Sequence, residues 1–207
     1  MQMKNRPLPK GSVFHSEHAE KVFDGIRFDV YQWKQKQFDG SEHVFETVRR
    51  TDNVFVLPVI GDELVVVKEE QPHWEKAGLN VVTGMLEEGE GVLEGARREL
   101  EEETGLMFDN FYLVHMEQPN PSAEWVSYTV VATGHAGQTR DKKLDAGEKN
   151  QVLRMSIDEY LQTVRALGFI YRQRFAEDFL IMNKEQEFRN ILKNPSQYAL
   201  PVQVDET

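Results

Sequence analysis

Cysteine is absent from the 207-residue chain, so neither a disulfide framework nor a thiolate metal site can form, and any bound metal must be held by oxygen or histidine. This is compatible with the cytoplasm. Basic charge is scarce too: 24 Lys and Arg stand against 35 Asp and Glu, a formal charge of −11. That balance argues against a surface that gathers phosphates along a nucleic acid, while a small anionic ligand stays compatible if cations neutralise its site. Long apolar runs are missing as well. Met1 to Gly11 carry Lys4, Arg6 and Lys10 with Pro7 and Pro9 but no apolar stretch behind them, so we expect no signal peptide, no membrane span and a soluble cytoplasmic protein. No internal repeat or low-complexity segment breaks the chain, whose length suffices for one domain with appendages.

What is present divides into three parts. Residues 1–50 read as a β extension, with apolar runs at Val22-Phe23, Ile26 to Trp33 and His43 to Val48 separated by Asp24-Gly25 and Asp39-Gly40, both hairpin signals. His15 and His18 read as a solvated pair without a role. Residues 51–170 read as the central domain. Asn53 to Ile60 and Glu63 to Lys68 are nearly continuous apolar strands around a Gly61-Asp62 turn, as expected for strands covered on both faces. Leu79 to Val82 form one further run. Gln71 to Gly78 is a loop, with Trp74 a lid or core cap. Phe111 to His115 and Trp125 to Ala132 are strands joined through Pro119 to Ser122, and Gly134 to Lys149 is a loop. Gln151 to Met155 is a last strand, before a helix that Ser156 and Glu159 open as a capping box and that runs to about Leu167. In residues 171–207 a single amphipathic helix is expected over Arg174 to Leu192, followed by a tail without periodicity.

The centre of the sequence is Gly84, then Glu90, then Arg98-Glu99-Leu100-Glu101-Glu102-Glu103-Thr104-Gly105-Leu106. An acidic run is usually a solvated helix face. At the helical step of 100°, however, Val92, Leu93, Ala96 and Leu100 cluster on one side, and Glu99 and Glu103 fall within or beside that cluster. Glu94 and Glu101 point away. Two carboxylates aimed inward, with Glu102 on the flank, repel each other and lose hydration, so a positive charge must meet them. Arg98 can pair with Glu102 at i, i+4, but one guanidinium cannot offset three carboxylates. All-oxygen ligands without cysteine point to Mg²⁺ or Mn²⁺ as the cofactor. Residues fixed at this spacing arise by chance on the order of one time in a million.

This stretch resembles the signature of the Nudix hydrolases without departure. The resemblance implies an α/β (α+β) fold, a Nudix-type α/β/α sandwich with a mixed central sheet, here with a small N-terminal antiparallel sheet added. It also implies Mg²⁺-dependent hydrolysis of a nucleoside diphosphate linked to a further group. Outside the box the chain is most similar to the ADP-ribose pyrophosphatase branch, over about residues 40 to 165. By that resemblance the metal ligands are the Thr83 carbonyl, Glu99 and Glu103, with Glu102 a ligand or near neighbour. In His43 to Thr51, the residue matching Phe45 stacks on adenine, that matching Glu46 binds its amino group, and that matching Arg50 faces the substrate. Met85 and Gln71 join the substrate contacts. Glu148, in Asp145-Ala146-Gly147-Glu148, is the expected general base, and Glu124 is the competing candidate or a substrate contact across a dimer interface. Pro121 matches the branch's downstream proline. The branch commonly has arginine where this chain has Gln71, Glu-Leu-Pro-Ala-Gly where it has Asn80 to Gly84, and aromatic and acidic residues where it has Lys149, Asn150 and Gln151. Another nucleoside diphosphate sugar than ADP-ribose is therefore a candidate substrate. The expected assembly is a homodimer through the N-terminal sheet. The competing functions are a nucleotide-sugar binding or sensor protein and a nucleoside triphosphate-cleansing pyrophosphatase.

Overall fold

A computed structural model describes residues 6–144, 149–166 and 174–202. Two sheets carry the architecture. The smaller contains β1 (Glu20–Phe23), β2 (Asp29–Lys36) and β3 (Glu42–Arg49), paired antiparallel, and a two-residue strand β9 (Ala123–Glu124) that joins β3 in parallel. The sequence gives no sign of β9, because two residues carry no periodicity.

The central sheet is mixed, in the order β11-β5-β4-β10-β8. Its members are β4 (Asn53–Ile60), β5 (Glu63–Glu70), β8 (Asn110–Glu117), β10 (Ser127–Thr133) and β11 (Lys149–Ser156). β4 and β10 run parallel, and the other neighbours along this path are antiparallel. The run from Leu79 to Val82 is not one strand. β6 (Gly78–Asn80) pairs with β5, the chain changes partner at Val81, and β7 (Val82–Met85) pairs with β4.

Val, Leu and Ile alternate between two apolar layers across this sheet. Val54, Val56, Val65 and Val67 face the helix α1 (Val92–Thr104) through Val92, Ala96 and Leu100. Leu57, Val59, Leu64 and Val66 face α2 (Ile157–Arg165), α3 (Arg174–Ile181) and α4 (Glu185–Lys193) through Tyr160, Phe175, Phe188 and Ile191. The α/β/α sandwich follows from burying both faces of one sheet. Ser156 caps α2 as its sequence requires, its Oγ accepting the Glu159 N–H at 3.2 Å while the Glu159 carboxylate accepts the Ser156 N–H at 2.8 Å.

The helix expected over Arg174 to Leu192 is two helices. Asn183 adopts φ 56, and the Lys184 N–H closes back on the Phe179 carbonyl at 2.7 Å. At the helical step of 100°, Phe188, Ile191 and Leu192 fall on the opposite side from Phe175, Phe179 and Met182, so one straight helix could not bury both groups and the break turns the second onto the core. The described part of the tail begins with a 3₁₀ turn (Pro195–Gln197), after which the Leu200 N–H bonds the Leu113 carbonyl at 2.7 Å. No helix among the described residues is long and apolar enough to cross a membrane.

Candidate active site

The site forms where β7 delivers Gly84 against α1. A Cβ on Gly84 would lie 1.8 Å from the Glu99 carboxyl carbon, so only glycine lets that carboxylate reach the strand. Glu99 is 14% exposed, and burial pushes its carboxyl above the ordinary value against the pull of Arg98. One turn on, the Glu103 carboxylate accepts the Thr83 N–H at 3.4 Å. The helix then ends at Gly105, whose φ of 71 and backbone contact with Arg140 leave no room for a side chain.

Arg98 touches more than its i, i+4 partner. Its Nε and Nη2 donate to the two oxygens of Glu90 at 2.8 and 3.0 Å, and Nη1 donates to Glu99 at 2.8 Å and Glu102 at 3.1 Å. Nη2 also meets the Met85 carbonyl at 3.0 Å. One guanidinium thus bridges Glu90, Glu99 and Glu102, so a single positive charge is shared among three negative ones, while the Glu103 carboxylate meets the Thr83 N–H. The Glu90 hydrogen bond, foremost, raises the affinity of Arg98 for its proton. Burial works against Glu90, yet Arg98 and the Glu87 N–H hold its carboxyl below the usual range. Among the described residues no three His, Asp or Glu side chains are grouped to hold a cation as they stand. The donor chemistry nevertheless fits a hard divalent cation: Glu99, Glu102 and Glu103 offer only oxygen, and Glu99 is buried against its electrostatic preference.

Of the expected substrate contacts, Met85 joins this network through its carbonyl, and the others are placed on neighbouring elements. Phe45 is 45% exposed on β3, its ring 6.0 Å from Trp33, which in turn stacks on His15 at 4.5 Å. Glu46 accepts a hydrogen bond from Gln32 at 3.1 Å. The Arg50 guanidinium lies over Trp125 at 5.2 Å and Phe28 at 5.9 Å. Gln71 donates to Glu69 at 2.7 Å, and Trp74 is half-buried beside it. Met85 is 46% exposed. Glu124 is fully buried: one carboxylate oxygen accepts the backbone N–H groups of His15 and Ser16. Its other carboxylate oxygen is buried without a hydrogen-bond partner among the described residues. Glu148, with Asp145 to Gly147, lies outside the described residues.

Two members of this hydrogen-bond network are reached only through long-range contacts. Glu90 lies eight positions before Arg98 and meets it only because the loop folds back, although the box spacing contains both. Arg6, more than 80 residues from the loop, donates to the carbonyls of Glu87 and Glu90; no sequence signal marks it.

A glycine opened for a glutamate, with Glu90 and Arg98 locked beside it, agrees with a NUDIX domain family model that matches residues 49–177, more than half of the chain. The chain belongs to the NUDIX domain family. Among the relatives of this Nudix hydrolase, a methanol dehydrogenase activator of Bacillus methanolicus is 29% identical over 159 residues, covering 75% of this chain and 86% of the relative. An ADP-ribose pyrophosphatase of Bacillus subtilis (strain 168) is 26% identical over 149 residues, 71% of this chain and 80% of the relative. Of solved structures, the crystal structure of an ADP compounds hydrolase superposes with a TM-score of 0.66 at 21% identity, covering 87% of this chain and 94% of that one, and shares the fold.

Proposed function

We propose that this Nudix hydrolase splits the pyrophosphate bond of ADP-ribose or a related nucleoside diphosphate sugar, with Mg²⁺ or Mn²⁺, into a nucleoside monophosphate and a sugar phosphate. The observation that carries the reading is the Glu99 carboxylate seated in the space that Gly84 leaves, buried at a cost that a divalent cation would offset. The cation, when bound, supplies Lewis-acid neutralisation of charge at the phosphoryl oxygens. Glu99, Glu103 and the Thr83 carbonyl would hold it, with Glu102 as ligand or neighbour.

The chain's own residues supply the rest. Arg98 positions Glu99 and Glu102 while Glu90 keeps it in place. Phe45 stacks on the base, Glu46 accepts its amino group, and Arg50, Gln71 and Met85 line the remainder. Glu148 takes the proton of the attacking water. Glu124, whose second carboxylate oxygen has no hydrogen-bond partner among the described residues, is the competing candidate for the base or for a substrate contact across the dimer interface. The protein acts as a homodimer through the N-terminal sheet, where Val22, Phe23, Ile26 and Val44 are exposed.

The test is a panel of nucleoside diphosphate sugars, ADP-ribose and nucleoside triphosphates incubated with Mg²⁺, with products separated by chromatography. Release of a nucleoside monophosphate with a sugar phosphate is expected. Turnover of triphosphates alone, or of nothing in the panel, would overturn the proposal.

A further inference from the structure

Arg6 enters the active site from the far end of the chain and spends all three guanidinium nitrogens there. Nε donates to the Glu90 carbonyl at 3.1 Å, Nη2 to the Glu87 carbonyl at 2.5 Å, and Nη1 to the Asp52 carboxylate at 3.2 Å. Both partners of the ion pair are shielded, with Arg6 14% and Asp52 3% exposed. Asp52 is itself fixed: its other oxygen accepts the Val126 N–H at 2.7 Å, and its carbonyl accepts the Leu86 N–H at 2.9 Å. The next residue, Pro7, is buried, and its carbonyl accepts the Tyr128 hydroxyl at 2.9 Å, so the backbone that presents Arg6 cannot drift.

The loop that Arg6 grips is the one that aims Glu90. Glu87 and Glu90 are closed on each other by a backbone bond at 3.2 Å and by the Glu90 carboxylate on the Glu87 N–H at 2.9 Å. That same carboxylate occupies two of the three nitrogens of Arg98. A continuous chain of contacts therefore runs Asp52, Arg6, the 87–90 loop, Glu90, Arg98, and ends on Glu99 and Glu102.

We propose that Arg6 is a positioning residue for the carboxylates of α1, acting through Glu90 to hold Arg98 in the orientation in which its Nη1 aligns Glu99 and Glu102. This rests on the reading of those carboxylates as cation ligands. With Arg6 removed, the loop loses the donor shared by its two carbonyls and Glu90 loosens its hold on Arg98. The freed guanidinium then no longer holds Glu99 and Glu102 in register for the cation. Only a planar fork can serve two carbonyls and a carboxylate together, so lysine is an incomplete substitute.

The experiment measures Mn²⁺ binding to the intact protein by electron paramagnetic resonance, well below the unfolding temperature, with thermal midpoints recorded alongside. Arg6→Gln is expected to bind Mn²⁺ about tenfold more weakly, the size typical of losing a residue that orients ligands from outside the coordination shell. Arg6→Lys should fall between wild type and Arg6→Gln. Asp52→Asn keeps an acceptor for the Val126 N–H and removes the charge that holds Arg6, so it provides a second test if Arg6→Gln folds poorly, with a Mn²⁺ affinity several-fold below wild type. If either variant binds Mn²⁺ as wild type does, whatever its thermal midpoint, Arg6 is a structural strap and the inference fails alone. If wild type binds no Mn²⁺, the cation reading fails and takes the inference with it.

Discussion

The end of α1 and the N-terminal sheet both place charged and aromatic side chains for one proposed substrate, yet they are built in opposite ways. At α1, Glu90 is 8% exposed and every oxygen that aims it has a named partner, so Arg98, Glu99 and Glu102 sit in one hydrogen-bonded array. On β3, Phe45 stands half in solvent, supported by a ring ladder through Trp33 and His15. Fixed charge suits groups that must stabilise a transition state, because their orientation is set before reaction. An open aromatic face suits a base that must enter and leave.

The comparison breaks most sharply at Glu103. Glu103→Gln keeps the size and removes the charge, and kcat should fall by about a thousandfold with circular dichroism unchanged. Full retained turnover would reduce the α1 carboxylates to scaffolding. Gly84→Ala comes next. Its methyl would displace the Glu99 carboxylate, so kcat should fall by about a hundredfold and stability by about 1–3 kcal/mol, read by kinetics and thermal melts.

Glu90→Gln probes the same array through stability, measured without divalent cations. The folded Glu90 carboxyl sits below its ordinary value of 4.5, so its contribution is fully present above that pH and is lost as acid titrates the folded group. The variant should be less stable by about 2 kcal/mol at neutral pH. The gap should close as pH drops below 4.5; a constant gap down the acid range would show that charge is not what Glu90 contributes. The smallest effect belongs to the sheet. Phe45→Ala should raise KM about tenfold, the worth of one stacked base, with kcat nearly unchanged and little loss of thermal stability. A fall in kcat instead would place Phe45 among the residues that orient the reacting phosphate.

Legibility in the sequence follows the same division. The strands β4 and β5, the helix α1 and the capping box at Ser156 are written in short-range patterns, and each forms where its pattern lies. The inward turn of Glu99 was readable because its neighbours at the helical step are apolar. What a local reading misses is long-range. The i, i+4 rule finds Glu102 for Arg98, but Glu90 is reached only after a loop closes, and Arg6 and Asp52 meet across 46 residues. The burial of Glu124 depends on the same kind of contact, since the His15 and Ser16 N–H groups that enclose it come from a segment more than 100 residues away. The break at Asn183 is legible only when the two halves are phased separately, because each is amphipathic by itself while their apolar positions lie on opposite sides of one continuous helix.

The most direct test follows ADP-ribose by phosphorus nuclear magnetic resonance in the presence of the wild-type protein, first with a chelator and then with excess Mg²⁺. The account predicts that the pyrophosphate signals persist under the chelator and, once Mg²⁺ is added, give way to two phosphate monoester signals in equal amount. Equal turnover with and without the cation would contradict it, as would pyrophosphate signals that survive Mg²⁺ with ADP-ribose and every related nucleoside diphosphate sugar supplied.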